Sequence, residues 1–250
     1  MKQKILLVTL ASLLIVLLVP IWQNPAESSE PGEKEVVVLL HGLARSNMAM
    51  WRLKQRLEEA GFHVETIGYA SLNRTSQQII QQIIQQISQQ INDCCRSINN
   101  RVHFVGHSLG GLLIRAYLVE NRPDNLGRVV LIGTPNRGSE VADYANGKWW
   151  GHLAGPAALS LGTTKESFPN TLPEPDYPVG VIAGVWSSDN DELIPGLDDG
   201  LVSVESTKLD KMQDFMVVPS GHSMMRYKNE VADQTIHFLR QGQFRKSETL

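Results

Sequence analysis

Short, almost wholly apolar runs recur along this chain with helix-period segments between them, and that alternation restricts the fold more than any other feature. Val36 to Leu40 is an unbroken run of Val and Leu, the length of one buried strand and too short for a core helix. Met48 to Ala60 follows with helical spacing and stops at Gly61, and Phe62 to Tyr69 returns to strand character. Arg101 to Val105, Arg128 to Ile132, Val179 to Val185 and Phe215 to Val218 read as further strands, with helices from Leu109 to Asn121 and Val231 to Gln241. Gln77 to Ile91 is the oddest stretch, because glutamine pairs alternate with isoleucines; Ile79, Ile80, Ile83, Ile84, Ile87 and Ile91 nevertheless fall on one side of a helix. Packing against a sheet accounts for that stripe, and a partner-binding helix survives as an alternative only if the stripe is solvent-exposed. The expected class is α/β, a mostly parallel central sheet with helices on both faces. In such sheets ligands bind beyond the carboxyl ends of the strands.

A different signal stands ahead of this pattern. Lys2 and Lys4 precede an uncharged apolar run from Ile5 to Trp22. It exceeds the roughly 7 to 15 residues of a signal-peptide core and approaches the roughly 17 to 25 that span a bilayer. Pro20, Trp22, Asn24 and Pro25 occupy the place where a small-x-small cleavage site would fall. Residues 1–23 are therefore read as a transmembrane or signal-anchor segment, with secretion after cleavage as the alternative. Lysines before the span and Glu27, Glu30 and Glu33 after it put the N-terminus in the cytoplasm and the domain on the extracytoplasmic side. Pro25, Ser28, Ser29, Pro31 and Gly32 make 24–34 a solvated linker, and 35–250 is one folded domain.

Composition excludes several classes. A 42% hydrophobic chain of 250 residues buries one sizeable core. Lys and Arg number 23 against 26 Asp and Glu, with no basic stripe interleaved with aromatics, so nucleic acid is not an expected partner. Cys94 and Cys95 are adjacent and lack the paired spacing of a zinc site, so no metal is expected. They read as incidental thiols near a helix end, or as a vicinal disulfide in an oxidising compartment.

The sharpest motif is Gly106-His107-Ser108-Leu109-Gly110-Gly111, where the strand ending at Val105 meets an apolar-periodic helix. A G-x-S-x-G elbow holds a serine on a turn so tight that its hydroxyl projects clear of the sheet, and flanking side chains larger than hydrogen would collide with neighbouring backbone. The bare pattern arises by chance in roughly one chain in ten of this length. Its placement between a strand and a helix is what makes it informative. Upstream, the first strand ends in His41-Gly42-Leu43, a turn that can aim a backbone N–H at a reacting carbonyl oxygen or can simply end the strand.

Taken with Gly133-Thr134-Pro135, Gly138-Ser139 and Asp199-Gly200-Leu201-Val202, these segments resemble bacterial lipases and esterases of the α/β-hydrolase fold from about Val36 to the last helix. They are also similar to the related deacylases that act on glycolipid anchors. The resemblance implies hydrolysis of acyl esters by a serine nucleophile, Ser108, with an oxyanion hole from the backbone N–H groups of Leu43 and Leu109. In this fold the acid and then the histidine follow the serine, and only His222 and His237 come after the late acidic segment. His237 sits among Ile236, Phe238 and Leu239 in the final helix, where packing is the default. His222, in the loop after the last strand, is the expected general base. His107 neighbours the serine but points away from its hydroxyl, so packing is its expected role. Asp189, Asp191, Glu192, Asp198 and Asp199 lie before the last strand, and several can reach the imidazole; Asp199 matches the position of the acid in similar lipases, with Asp198 next and the other carboxylates read as solvated loop charges.

Between 136 and 176 the alternation breaks down, and Trp149, Trp150, Leu153, Leu159, Leu161 and Phe168 are scattered among Gly and Pro. A lid over about 137–176 whose aromatics clamp an acyl chain and an irregular loop whose tryptophans cap the core fit equally. The expected activity is ester hydrolysis on an acyl or lipid substrate without a cofactor. Acyl transfer, thioester or amide cleavage by the same residues are alternatives, as is a hydrolase-like binding protein with a silent site. Nothing in the sequence bears on oligomeric state.

Overall fold

The computed structural model describes residues 35–43, 46–71, 74–94, 101–149, 155–186 and 193–246. The expected membrane segment and linker, the side chains of Ile91, Cys94 and Cys95, and Trp150, Leu153, Asp189, Asp191 and Glu192 lie outside the described residues. Among those described, no helix is long and apolar enough to cross a membrane.

Six strands form the sheet: β1 (Val36–Leu40), β2 (His63–Ile67), β3 (Val102–His107), β4 (Leu126–Ile132), β5 (Val179–Val185) and β6 (Asp214–Pro219). Their order is β2-β1-β3-β4-β5-β6, and every neighbouring pair is parallel. Period-two alternation explains how an unbroken apolar strand stays covered on both sides. Val36, Val38 and Leu40 of β1 join one cluster with α2 (Ser76–Cys94) and α3 (Leu109–Glu120). Val37 and Leu39 join a second with α1 (Trp51–Glu59) and α8 (Asn229–Gln241).

The glutamine-isoleucine segment is α2, and its stripe packs inward: Ile79, Ile83 and Ile87 have no exposed surface, with Ile80 and Ile84 partly buried beside them. Each fully buried isoleucine contributes about 1.5–3 kcal/mol. The partner-helix alternative required an exposed stripe and falls with this packing.

Elements were misjudged mainly where they are short. α4 (Glu140–Asn146), α5 (Pro156–Leu159) and α6 (Phe168–Thr171) interrupt the segment between β4 and β5, and α7 (Val204–Thr207) precedes β6. One or two turns are too few for a 3.6-residue period to register. Prolines in the first turns of α5 and α6 start helices by local geometry instead. The first helix also begins later than its hydrophobic spacing suggests, at Trp51 after a 3-10 turn over Asn47–Met50.

Topology then selects the site. From β1 the chain steps to β2 on one side, then returns to lay β3 on the other, with Leu40 opposite Gly106. Loops leaving the carboxyl ends of β1 and β3 therefore diverge, and a crevice opens at this switch point.

Candidate active site

Ser108 stands between β3 and α3 with φ 56° and ψ −126°. It is the only non-glycine with positive φ among the described residues. Such a conformation costs about 1–3 kcal/mol and persists only where its surroundings over-determine it. Here the Ser108 N–H donates to the Ile132 carbonyl at 2.9 Å, and the Gly111 N–H donates to the Ser108 carbonyl at 3.0 Å. A Cβ at Gly106 would lie 2.5 Å from the Gly111 nitrogen, and one at Gly110 would lie 2.5 Å from the carbonyl oxygens of Leu40 and His41. The first turn of α3 thus sits in backbone contact with the end of β1, which only glycine allows.

The elbow aims its hydroxyl at the expected imidazole. Ser108 Oγ lies 2.9 Å from His222 Nε2, and His222 Nδ1 lies 2.7 Å from Asp199 Oδ2. Because a carboxylate only accepts, Nδ1–H donates to Asp199 and Nε2 is left to accept the serine proton. The other Asp199 oxygen accepts the Leu201 and Val202 N–H groups at 3.0 and 2.8 Å, so both are occupied and the carboxylate cannot rotate. The His222 N–H closes the loop by donating to the Asp199 carbonyl at 2.8 Å. Asp198 Oδ1 instead accepts the Gly200 N–H at 2.6 Å. Ser108, Asp199 and His222 are all buried.

Gly133, at the end of β4, shapes the same corner. A Cβ there would meet Met225 Cε at 2.5 Å and approach Asp199 Oδ2 and His222 Nδ1 to 3.3 Å each. His107 does not serve the serine: its Nε2 lies 2.9 Å from the His222 carbonyl oxygen, and the two rings are 4.9 Å apart. This bond to the His222 backbone had no sequence signal beyond the motif itself. His237 sits on α8 with Nδ1 accepting from Arg245 at 3.3 Å.

On the other side of the serine is the His41-Gly42-Leu43 turn, so close that a Cβ at Gly42 would be 3.0 Å from Ser108 Cβ. His41 stacks on Tyr69 with centroids 4.1 Å apart, its Nδ1–H donates to the Gly42 carbonyl at 2.8 Å, and the Tyr69 hydroxyl donates to the His41 carbonyl. Burial lowers the pKa of His41 and raises that of Tyr69, so the pair stays neutral. The Leu43 and Leu109 N–H groups have no backbone acceptor among the described residues, and that of Leu109, first in α3, has none within its helix.

A cavity of about 240 Å³ opens between Leu43, Ser108 and His222, its far wall built by Ala142 and Ala145 of α4, Ala158 of α5 and Leu161. The segment between β4 and β5 that carries this wall is tied to the rest of the domain by polar contacts. Arg115 of α3, whose guanidinium pKa burial pushes down, donates to carbonyls of Asn136, Leu172 and Pro173 at 3.2–3.3 Å. Ser139 Oγ donates to the Leu201 carbonyl at 2.8 Å. Trp149 does not line the cavity and is 84% exposed, whereas Phe168 packs on the main core. The alanines were missed; their three-residue spacing on α4 was the available signal.

Solved structures share this architecture. Bacillus licheniformis lipase BlEst2 in its mature form superposes with a TM-score of 0.61 at 20% identity, covering 80% of this chain and 89% of that one. Phospholipase PlaB from Legionella pneumophila gives 0.67 at 17%, covering 85% and 60%. The esterase EaEST from Exiguobacterium antarcticum gives 0.58 at 16%, covering 84% and 93%. At these identities the likeness is one of fold, that of the α/β-hydrolases. A closer tie comes from the family model described as palmitoyl protein thioesterase, which matches residues 36–169. That stretch is more than half of the chain and runs from β1 through the elbow and the alanine-lined wall to α6, so this protein belongs to the palmitoyl protein thioesterase family.

Proposed function

We propose that this chain hydrolyses acyl esters through an acyl-enzyme on Ser108. The observation that carries the reading is the unbroken relay from a strained serine hydroxyl through His222 to a buried carboxylate, at 2.9 and 2.7 Å. Ser108 Oγ attacks the acyl carbonyl as its proton passes to His222 Nε2; Asp199 holds the imidazole in the accepting tautomer and stabilises the imidazolium. The oxyanion takes hydrogen bonds from the Leu43 and Leu109 amides, each worth about 3 kcal/mol in the transition state. His222 then protonates the departing atom, and a water that gives its proton to His222 frees the acid. No step calls for a metal or organic cofactor. The apolar cavity beside Ser108 suits an acyl chain.

Thioester cleavage is a second reading, favoured by the family match to palmitoyl protein thioesterases. The same relay serves it, with sulfur as the departing atom. Attachment to a membrane through residues 1–23, with the domain on the extracytoplasmic side, belongs to the proposal and rests on the apolar run alone. Fractionation of cells, with and without those residues, tests it.

A fluorophosphonate probe should label the native protein and leave Ser108→Ala unlabelled. Oxygen and sulfur esters with one acyl group, compared across chain lengths, then separate the two readings. An unlabelled native protein, or esters and thioesters of every length left uncut, would refute the reaction class.

A further inference from the structure

Two recesses meet at His222. The first is the cavity beside Ser108. The second is an open groove of about 330 Å³ lined by Trp186, Gly221, Met224 and the buried Asp199, sharing only Leu201, His222 and Ser223 with the first. The groove touches the proton carrier but not the nucleophile, whereas Gly42, Leu43 and Ser108 all line the cavity.

That difference assigns the two halves of a substrate. The acyl carbonyl must sit between Ser108 Oγ and the Leu43 and Leu109 amides, which places its chain in the cavity. The departing atom must face His222 Nε2, and its remainder must leave while the acyl group stays bound, so it belongs in the recess that is open and adjoins His222. Trp186 is 74% exposed and Met224 55% exposed; the indole lies over Gly221, where a Cβ would be 3.6 Å from the ring. Among the described residues lining the groove, Asp199 is the only charged one, and its oxygens are engaged by His222, Leu201 and Val202.

We infer that this groove receives the leaving group and favours an alcohol or thiol whose aromatic or aliphatic portion lies on the Trp186 indole. The inference rests on the acyl-enzyme reading above. In the step concerned, the bond from Ser108 Oγ to the acyl carbon forms and the bond from that carbon to the departing oxygen or sulfur breaks. The serine proton moves through His222 Nε2 to the departing atom.

The test uses hexanoyl esters of 2-phenylethanol and ethanol, which both give one acyl-enzyme and hence one deacylation rate. Native protein should show kcat/KM at least tenfold higher for the phenylethyl than for the ethyl ester. Trp186→Ala should lose about tenfold more on the phenylethyl than on the ethyl ester, and Trp186→Phe should recover most of it. Because Trp186 is largely exposed, its replacement leaves the fold intact, and labelling of Ser108 by a fluorophosphonate verifies this in each variant. Equal losses on both esters, or no preference for the phenylethyl ester in the native protein, would overturn the inference and leave the acyl-enzyme standing. Absence of both labelling and turnover in the native protein would overturn the two together.

Discussion

The elbow after β3 and the segment between β4 and β5 both flank Ser108, yet they are built on opposite logics. Within the elbow Gly106 and Gly110 answer to backbone a few positions away or at the end of the adjoining strand: remove the space at Gly110 and the Leu40 carbonyl is struck. In the second region Ala142, Ala145 and Ala158 are small because α4 and α5 face a cavity, a condition set by how distant helices come to rest. On the proposed mechanism the first arrangement presents the nucleophile, and the second shapes the space beside it. The elbow's geometry is a short-range property of the chain, whereas the cavity wall, like the meeting of Ser108 with His222, is a long-range one.

That contrast can be broken in order of effect. Ser108→Ala should lower kcat by about a millionfold, read from ester turnover, with the melting temperature almost unmoved; a small loss would place the chemistry elsewhere. Asp199→Asn should cost about 10⁴-fold in kcat with KM little changed, and an equal loss in Asp198→Asn would mean that the relay does not pass through Asp199. Ile83→Ala, in the core cluster that also holds Leu109 and Leu161, should destabilise the fold by about 2–5 kcal/mol in denaturant unfolding while leaving the ranking of acyl lengths as it was. Ala145→Leu should lower kcat/KM for long acyl chains by about tenfold, one to two methylenes' worth of lost space, and leave acetyl esters nearly untouched. A uniform loss across chain lengths would remove the distinction between the two regions.

The same contrast explains what could be read from sequence. The strands were visible because both faces are buried and no polar residue interrupts Val36–Leu40 or Val129–Ile132. Ser108 and His222 stood out because a strained turn and a loop after the last strand leave chemical residues in unusual settings. Choosing among the acidic residues was harder, since adjacent Asp198 and Asp199 are both buried and differ only in which amides and ring they meet. The groove at Trp186 and the hold of His107 on the His222 carbonyl depend on segments far apart in the chain, 114 to 115 residues in the case of β3 and the histidine loop. No local pattern encodes such meetings.

Ser108 hangs from β3 in the interior of the sheet, while His222 follows β6, which among the described strands has a neighbour on one side alone. Peripheral strands open at lower free energy than central ones. On the proposed mechanism this gives a built-in order of failure: fraying at the margin carries the imidazole off while Ser108 remains poised on an intact interior. Turnover should vanish reversibly at denaturant concentrations that leave most of the helical signal in place, and the protein would fall silent well before it comes apart.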